Sequence, residues 1–187
     1  MIILNIHMMV TTEHTPNPDT LKFLPGKKVS EAGPLEFTKN DKSIKVSLAS
    51  KILSIEGTVM VFFGTDFITV KKEKDLNWKD LKHGIISEIN DYYSKGNEVV
   101  VGKDSKDKFS KSEGSDSNEI IKKINEILDA KIRPAVARDG GDITFKSFKD
   151  GVVSVTLKGS CSGCPSSIMT LKQGVQNLLC HYIPEGK

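Results

Sequence analysis

Between Gly102 and Glu119 the chain carries a single apolar side chain, Phe109, among five serines, four lysines and five acidic residues. A stretch with so little to bury cannot recover the entropy lost on ordering, so it reads as a flexible linker. No single core can run through it. It splits the sequence into an N-terminal part of about ninety residues and a C-terminal part of about seventy, the latter near the lower limit for independent stability. The expected organisation is an extension at 1–8, a first domain at 9–96, the linker at 97–117 and a second domain at 118–187. A hydrophobic content of 37% with 27% charged residues is lean for one large core but suits two small ones.

The formal charge of +3 comes from 27 basic and 24 acidic residues that are interspersed, with no basic block, so nucleic acid is not an expected partner. Three cysteines do not make a disulfide framework in a chain of 187 residues. Reduced thiols in a cytosol-like compartment follow. The run Met1-Ile2-Ile3-Leu4-Asn5-Ile6-His7-Met8 lacks the basic flank, length and cleavage site of a signal peptide, and the arginines of a transit peptide. No stretch is long enough to cross a membrane. The expected location is bacterial-type cytoplasmic.

In the first domain, Met9 to Glu13 reads as a strand, followed by a turn at His14-Thr15-Pro16-Asn17-Pro18-Asp19, where two prolines fix φ and remove donors. Thr20 to Leu24 resumes strand. Leu48, Ile52 and Ile55 carry a helical spacing within Ile44–Ile55, and Thr58–Phe63 with Phe67–Lys71 flank Gly64-Thr65-Asp66 as a hairpin. Trp78, Leu81, Ile85, Ile89 and Tyr92 mark the buried stripe of a second helix. The pattern predicts an α+β sandwich without a run of metal ligands.

In the second domain, Ile120, Ile121, Ile124, Ile127, Leu128 and Ile132 form a helical stripe with Asp116 and Asn118 as capping candidates, and Pro134 kinks or ends the helix. Asp139-Gly140-Gly141-Asp142 is a turn. Ile143 and Phe145, then Val153, Val155 and Leu157, alternate with polar neighbours on either side of Lys149-Asp150-Gly151, which predicts a β-hairpin. Ile168, Leu171, Val175, Leu178, Leu179 and Tyr182 mark a last amphipathic helix. The fold class is thus α+β: two small α/β sandwich domains, the second in the order α-β-β-α.

The chemistry sits between the last strand and the last helix, in Gly159-Ser160-Cys161-Ser162-Gly163-Cys164-Pro165. A Cys-x-x-Cys pair brings two thiolates to one point, which suits soft metals or reversible disulfide chemistry. Zinc sites and iron–sulfur clusters usually take four protein ligands, whereas Cys161 and Cys164 supply two, so the site reads as half a site. Pro165 suits a first helical turn, and a helix start favours negative charge, which lowers a thiol pKa. The glycines let the backbone bend around a bulky group, so a cluster bound here is expected near the surface and easily passed on. Three readings stay open on the residues alone: a transferable cluster, a thiol–disulfide oxidoreductase with Cys161 as nucleophile and Cys164 as resolving thiol, and zinc bridging a structural dimer.

Other candidates carry less. Cys180 falls about 20 Å along the helix at 1.5 Å per residue and shares a polar face with Gln176 and Gln173, so it reads as incidental. The histidines His7, His14, His83 and His181 share no metal spacing; His14, in the proline turn, is the one to watch. Asp139 and Asp142 could bind a hard cation, but a turn role for the glycines between them and a cap role for the aspartates accounts for the run. Phe62 and Phe63 read as core strand.

The run Arg133-Pro134, Asp139-Gly140-Gly141-Asp142-Ile143, Asp150-Gly151-Val152-Val153, Leu157-Lys158-Gly159-Ser160-Cys161-Ser162-Gly163-Cys164-Pro165-Ser166-Ser167 and Thr170-Leu171-Lys172 closely resembles the NifU-like (Nfu-type) iron–sulfur cluster scaffold and carrier family. The run Thr12-Glu13-His14-Thr15-Pro16-Asn17-Pro18, Leu21-Lys22-Phe23, Ile55-Glu56-Gly57, Val61-Phe62-Phe63-Gly64 and Phe67-Ile68-Thr69-Val70 resembles the accessory N-terminal domain of the same proteins. The resemblance implies a homodimer or higher oligomer in which two chains each give Cys161 and Cys164 to a bridging [4Fe-4S] cluster, or a [2Fe-2S] one. It implies receipt from cluster donors and delivery to apo-proteins, not enzymatic turnover. The family continues past the Pro-Glu of the last helix with a hydrophobic tail, where this sequence has Pro184-Glu185-Gly186-Lys187. Met8 or Met9 is the expected natural start.

Overall fold

The computed structural model describes residues 9–31, 33–41, 46–97, 115–163 and 165–183, the side chains of 115–118 and 165–167 excepted. The extension expected at 1–8 and most of the linker expected at 97–117 lie outside these residues.

The first unit is a five-stranded antiparallel sheet of β1 (Thr11–His14), β2 (Thr20–Leu24), β3 (Leu35–Thr38), β4 (Thr58–Phe63) and β5 (Ile68–Lys72), in the order β1-β2-β5-β4-β3. Helices α1 (Ser47–Ser54) and α2 (Trp78–Ser94) cover one face. Asn77 caps α2 by accepting from the Lys79 amide at 3.1 Å, and the Trp78 indole donates to the Pro18 carbonyl at 3.0 Å, which ties the helix to the proline turn. Strand β3 is the element the sequence reading passes over. Its four residues alternate Leu35 and Phe37 with Glu36 and Thr38, and Phe37 packs edge-on against Phe63 at 5.5 Å.

Strand alternation sorts this sheet into two faces. Leu21, Phe23, Val61, Phe63, Ile68 and Val70 point into the core shared with α1 and α2. The opposite face carries Thr20, Lys22, Met60, Phe62 and Thr69, and these are buried too. A sheet with a solvated outer face would leave such polar residues exposed. Here the second unit covers them.

That second unit begins with α3 (Ser115–Ile127), which includes residues assigned to the linker by composition. A single π-helical turn (Leu128–Ile132) follows, and then α4 (Arg133–Arg138). Pro134 explains the break: it has no N–H to donate and its ring crowds the carbonyl four residues back. The ladder widens instead, with the Arg133 amide bonding the Leu128 carbonyl five residues earlier. Strands β6 (Gly141–Lys149) and β7 (Val152–Gly159) pair antiparallel, joined by Asp150 at φ 51° and Gly151 at φ 77°. Positive φ at both central positions is the type I′ hairpin turn. Helix α5 (Pro165–Tyr182) closes the unit, burying Val175 and Leu179, with Ile183 buried just beyond it. Tyr182, read from the sequence as part of that stripe, is exposed. The α and β composition and the antiparallel sheets agree with the expected α+β class.

Arg133 braces this unit. Its guanidinium pairs with Asp142 through Nε at 3.1 Å and with Asp129 through Nη1 at 2.6 Å, and Nη2 donates to the Ile143 carbonyl at 3.1 Å. The cation role considered for Asp142 thus gives way to an ion pair that joins α4 to β6. Burial pushes the Asp142 carboxyl above its ordinary 3.8, outweighing Arg133, the Ile143 amide, Thr144 and Lys158, which all lower it. A carboxyl raised in this way contributes stability that is whole below the unfolded value and is lost as pH climbs through the folded one. Asp142→Asn should therefore show a Tm deficit that shrinks between about pH 3 and pH 7, because only the parent protein weakens through this group. A deficit that widens over that range contradicts the assignment.

Candidate functional site

Strand β7 delivers the chain to Gly159, and Ser160 to Gly163 turn it into α5. The turn is closed by the Ser162 amide on the Gly159 carbonyl at 3.1 Å, with Gly159 at φ 66° and Gly163 at φ 76°. Both angles favour glycine. The Ser160 amide also reaches the Gly140 carbonyl at 3.1 Å, so the turn before β6 and the turn after β7 are stitched together.

The two backbones cross without room for side chains. A Cβ at Gly141 would lie 2.6 Å from the Lys158 carbonyl oxygen, 2.9 Å from the Cys161 Sγ and 3.3 Å from the Cys161 Cβ. A Cβ at Gly159 would lie 2.7 Å from the Gly140 carbonyl oxygen and 3.0 Å from the Phe62 ring. The Cys161 side chain therefore occupies the space that glycine leaves at 141. The sequence reading treats Gly140-Gly141 as turn residues; the structure makes Gly141 part of the cysteine's seat.

Cys161 is 1% exposed and packs into the second unit's core with Ile143 and Val175. The expectation of a surface-accessible thiol is therefore corrected at this residue: it is enclosed by its own core below and by the clamped turn above. Cys164 lies outside the described residues. Among the described residues no group of three or more His, Cys, Asp or Glu is placed to hold a metal ion. Cys180 is exposed, and His14, His83 and His181 are exposed as well; His7 lies outside the described residues.

The outer face of the first sheet holds the cysteine turn. The Asn17 amide donates to the Ser160 carbonyl at 3.1 Å, and the Thr20 and Ser160 hydroxyls hydrogen-bond at 3.0 Å. The Thr69 hydroxyl donates to the Gly140 carbonyl at 2.7 Å, and the Gly159 amide donates to a Glu36 carboxylate oxygen at 2.7 Å. A Cβ at Gly163 would lie 3.5 Å from the Lys71 ammonium, so a positive charge stands beside the loop. None of these first-unit residues was singled out from sequence, although Asn17 lies in the conspicuous proline turn.

The donor chemistry fits a soft metal or cluster: cysteine sulfur, glycines that yield space, and an electropositive helix start. No helix among the described residues is long and apolar enough to cross a membrane.

Comparison with known proteins matches the family model described as NifU-like domain to residues 124–187, and that described as Scaffold protein Nfu/NifU N terminal to residues 10–96. The chain is 45% identical over 181 residues to the human "NFU1 iron-sulfur cluster scaffold homolog, mitochondrial", covering 96% of this chain and 70% of that protein. It is 42% identical to "NifU-like protein 4, mitochondrial" of Arabidopsis thaliana, covering 96% of this chain and 64% of that one. A NifU-like protein from Saccharomyces cerevisiae, solved by NMR, aligns with 57% of this chain and 92% of its own at a TM-score of 0.47 and 24% identity. The names of the human and Arabidopsis relatives overturn the expectation of a bacterial-type cytoplasmic location. That expectation drew on the lack of a leader pattern in the first residues, and a missing pattern carries no address.

The seat of Cys161 yields a direct test. Gly141→Ala places a methyl against a carbonyl oxygen and the thiol, and overpacking of this kind costs about 1–3 kcal/mol. Chemical denaturation should show a loss in that range, together with a changed Cys161 alkylation rate. An unchanged midpoint and rate would show that the crossing has room for a methyl group.

Proposed function

This chain belongs to the NifU-like (Nfu) family, and we propose that it is an iron–sulfur cluster scaffold and carrier that holds a [4Fe-4S] cluster between two copies of itself and passes it to apo-proteins. The observation that supports this most is the turn carrying Cys161 and leading through position 164 into α5. One chain offers two sulfur ligands there, in a glycine-lined, electropositive setting. A cluster of this kind usually takes four, so occupancy joins two molecules.

Each residue then has a limited task. Cys161 and Cys164 are the ligands from each chain. Gly141 leaves the space that the Cys161 sulfur fills, Gly159 lets the two backbones cross, and Lys71 sets a positive charge beside the loop. The cluster supplies electron-deficient iron that the sulfurs bind. The chain itself performs no bond-making on a small substrate in this reading, so it is a carrier and not an enzyme. Its partners are cluster donors and apo-protein recipients, and the compartment that goes with the reading is the mitochondrion named for the human and Arabidopsis relatives.

Anaerobic reconstitution of the full chain with iron and sulfide is expected to give a broad charge-transfer absorption and about four irons per two chains. Native mass measurement should find the loaded species at twice the chain mass. Cys161→Ser and Cys164→Ser should each abolish loading. A cluster carried by one chain without another donor, or zinc that resists replacement by iron and sulfide, would overturn the proposal.

A further inference from the structure

Contacts between the two units converge on the turn that carries Cys161 and on the end of α4 with Gly140 beside it. Asn17, Glu36 and Thr69 bond main-chain atoms of Ser160, Gly159 and Gly140, while Thr20 bonds the Ser160 side chain. Lys22 adds a bond from its ammonium to the Arg138 carbonyl at 3.3 Å. Around these polar contacts Met60, Phe62 and Phe67 are buried on the same outer face, with Ala137 packed against them. Separating the units would expose these apolar side chains and leave Thr69 and Asn17 to find water, so the docked arrangement has its own driving force.

This arrangement conflicts with a shared site. The Cys161 Cβ as well as its Sγ lies against Gly141, so bringing the sulfur outward to meet a second chain requires the main chain from Gly159 to Ser162 to move. That main chain is what Asn17 and Glu36 hold. A second copy facing the loop would also have to occupy ground that the sheet now covers.

We propose that the outer face of the N-terminal sheet is a latch for the cysteine loop, and that the latch and the second copy compete for that loop. The proposal deepens the carrier reading and rests on it for the identity of the competitor. The latched state itself needs no metal. In the closed form Cys161 is withheld from thiol-reactive agents and from premature pairing. Release of Glu36 and Thr69 frees the turn to open, and residues 98–114 join the two units throughout.

The test uses the full chain without metal, under reducing conditions, with iodoacetamide labelling of Cys161 and Cys180 followed by peptide mass spectrometry. Exposed Cys180 is the internal clock. In Glu36→Ala and Thr69→Val, each of which removes one latch bond, the Cys161 rate should rise about five- to tenfold while the Cys180 rate stays constant. Equal Cys161 rates in parent and variants overturn the latch. The parent protein gives a second measure that needs no variant, because the Gly159 amide bonds a side chain of the other unit. Slow hydrogen exchange at Gly159 supports the latch, and exchange as fast as in an unstructured peptide refutes it. Reconstitution then separates the two ideas: faster cluster loading by Glu36→Ala supports competition, whereas a parent protein that never loads defeats the carrier reading alone.

Discussion

Two stretches of backbone cross beside Cys161 at a distance that excludes every side chain, and the organisation of the site follows from that crossing. Gly140 and Gly141 on one side and Gly159 on the other allow β6 and β7 to meet where the hairpin ends. The crossing sets where the cysteine turn starts, and the Ser160 amide bond to Gly140 fixes its direction. A thiol on a wider turn would sit in water at an undefined angle. Here it is seated in the core of its own unit, against the space that Gly141 leaves.

The crossing is supported from both flanks. Within its own unit, the Arg133–Asp142 pair links α4 to β6, and the π turn ahead of Pro134 lets the first helix bend to bring Val136 into the core. From the other unit, the five-stranded sheet presses Phe62 towards Gly159 and Thr69 onto Gly140. Small glycines on one element and a flat β surface on the other make this approach possible. The same geometry encloses Cys161 and sets the Lys71 ammonium beside Gly163.

Much of this was legible in the residues. Asp150-Gly151 between alternating strands specifies a type I′ hairpin, and the Leu and Ile spacing of α1, α2 and α3 specifies buried helical faces. The position of the cysteine turn between β7 and α5 followed from the change of period around Gly159. Strand β3 was not legible, because four half-buried residues with two apolar side chains give too short an alternation to separate from a loop.

The burial of the sheet's outer face was not legible for a more general reason. Thr20, Lys22 and Thr69 alternate with apolar neighbours, as in a strand with one side in water, yet all three are buried. Alternation reports that one face avoids water; it does not report what the other face meets. When the opposing surface is backbone from a glycine-rich turn, hydroxyls, an amide and a carboxylate are the matching groups, since they pair with carbonyls and N–H groups that an apolar face would strand. A polar face of this composition therefore has two physical solutions, water or another backbone. In this protein the choice between them decides whether a cysteine is open or closed, and no pattern local to either strand can express it, because the partner lies more than seventy residues away.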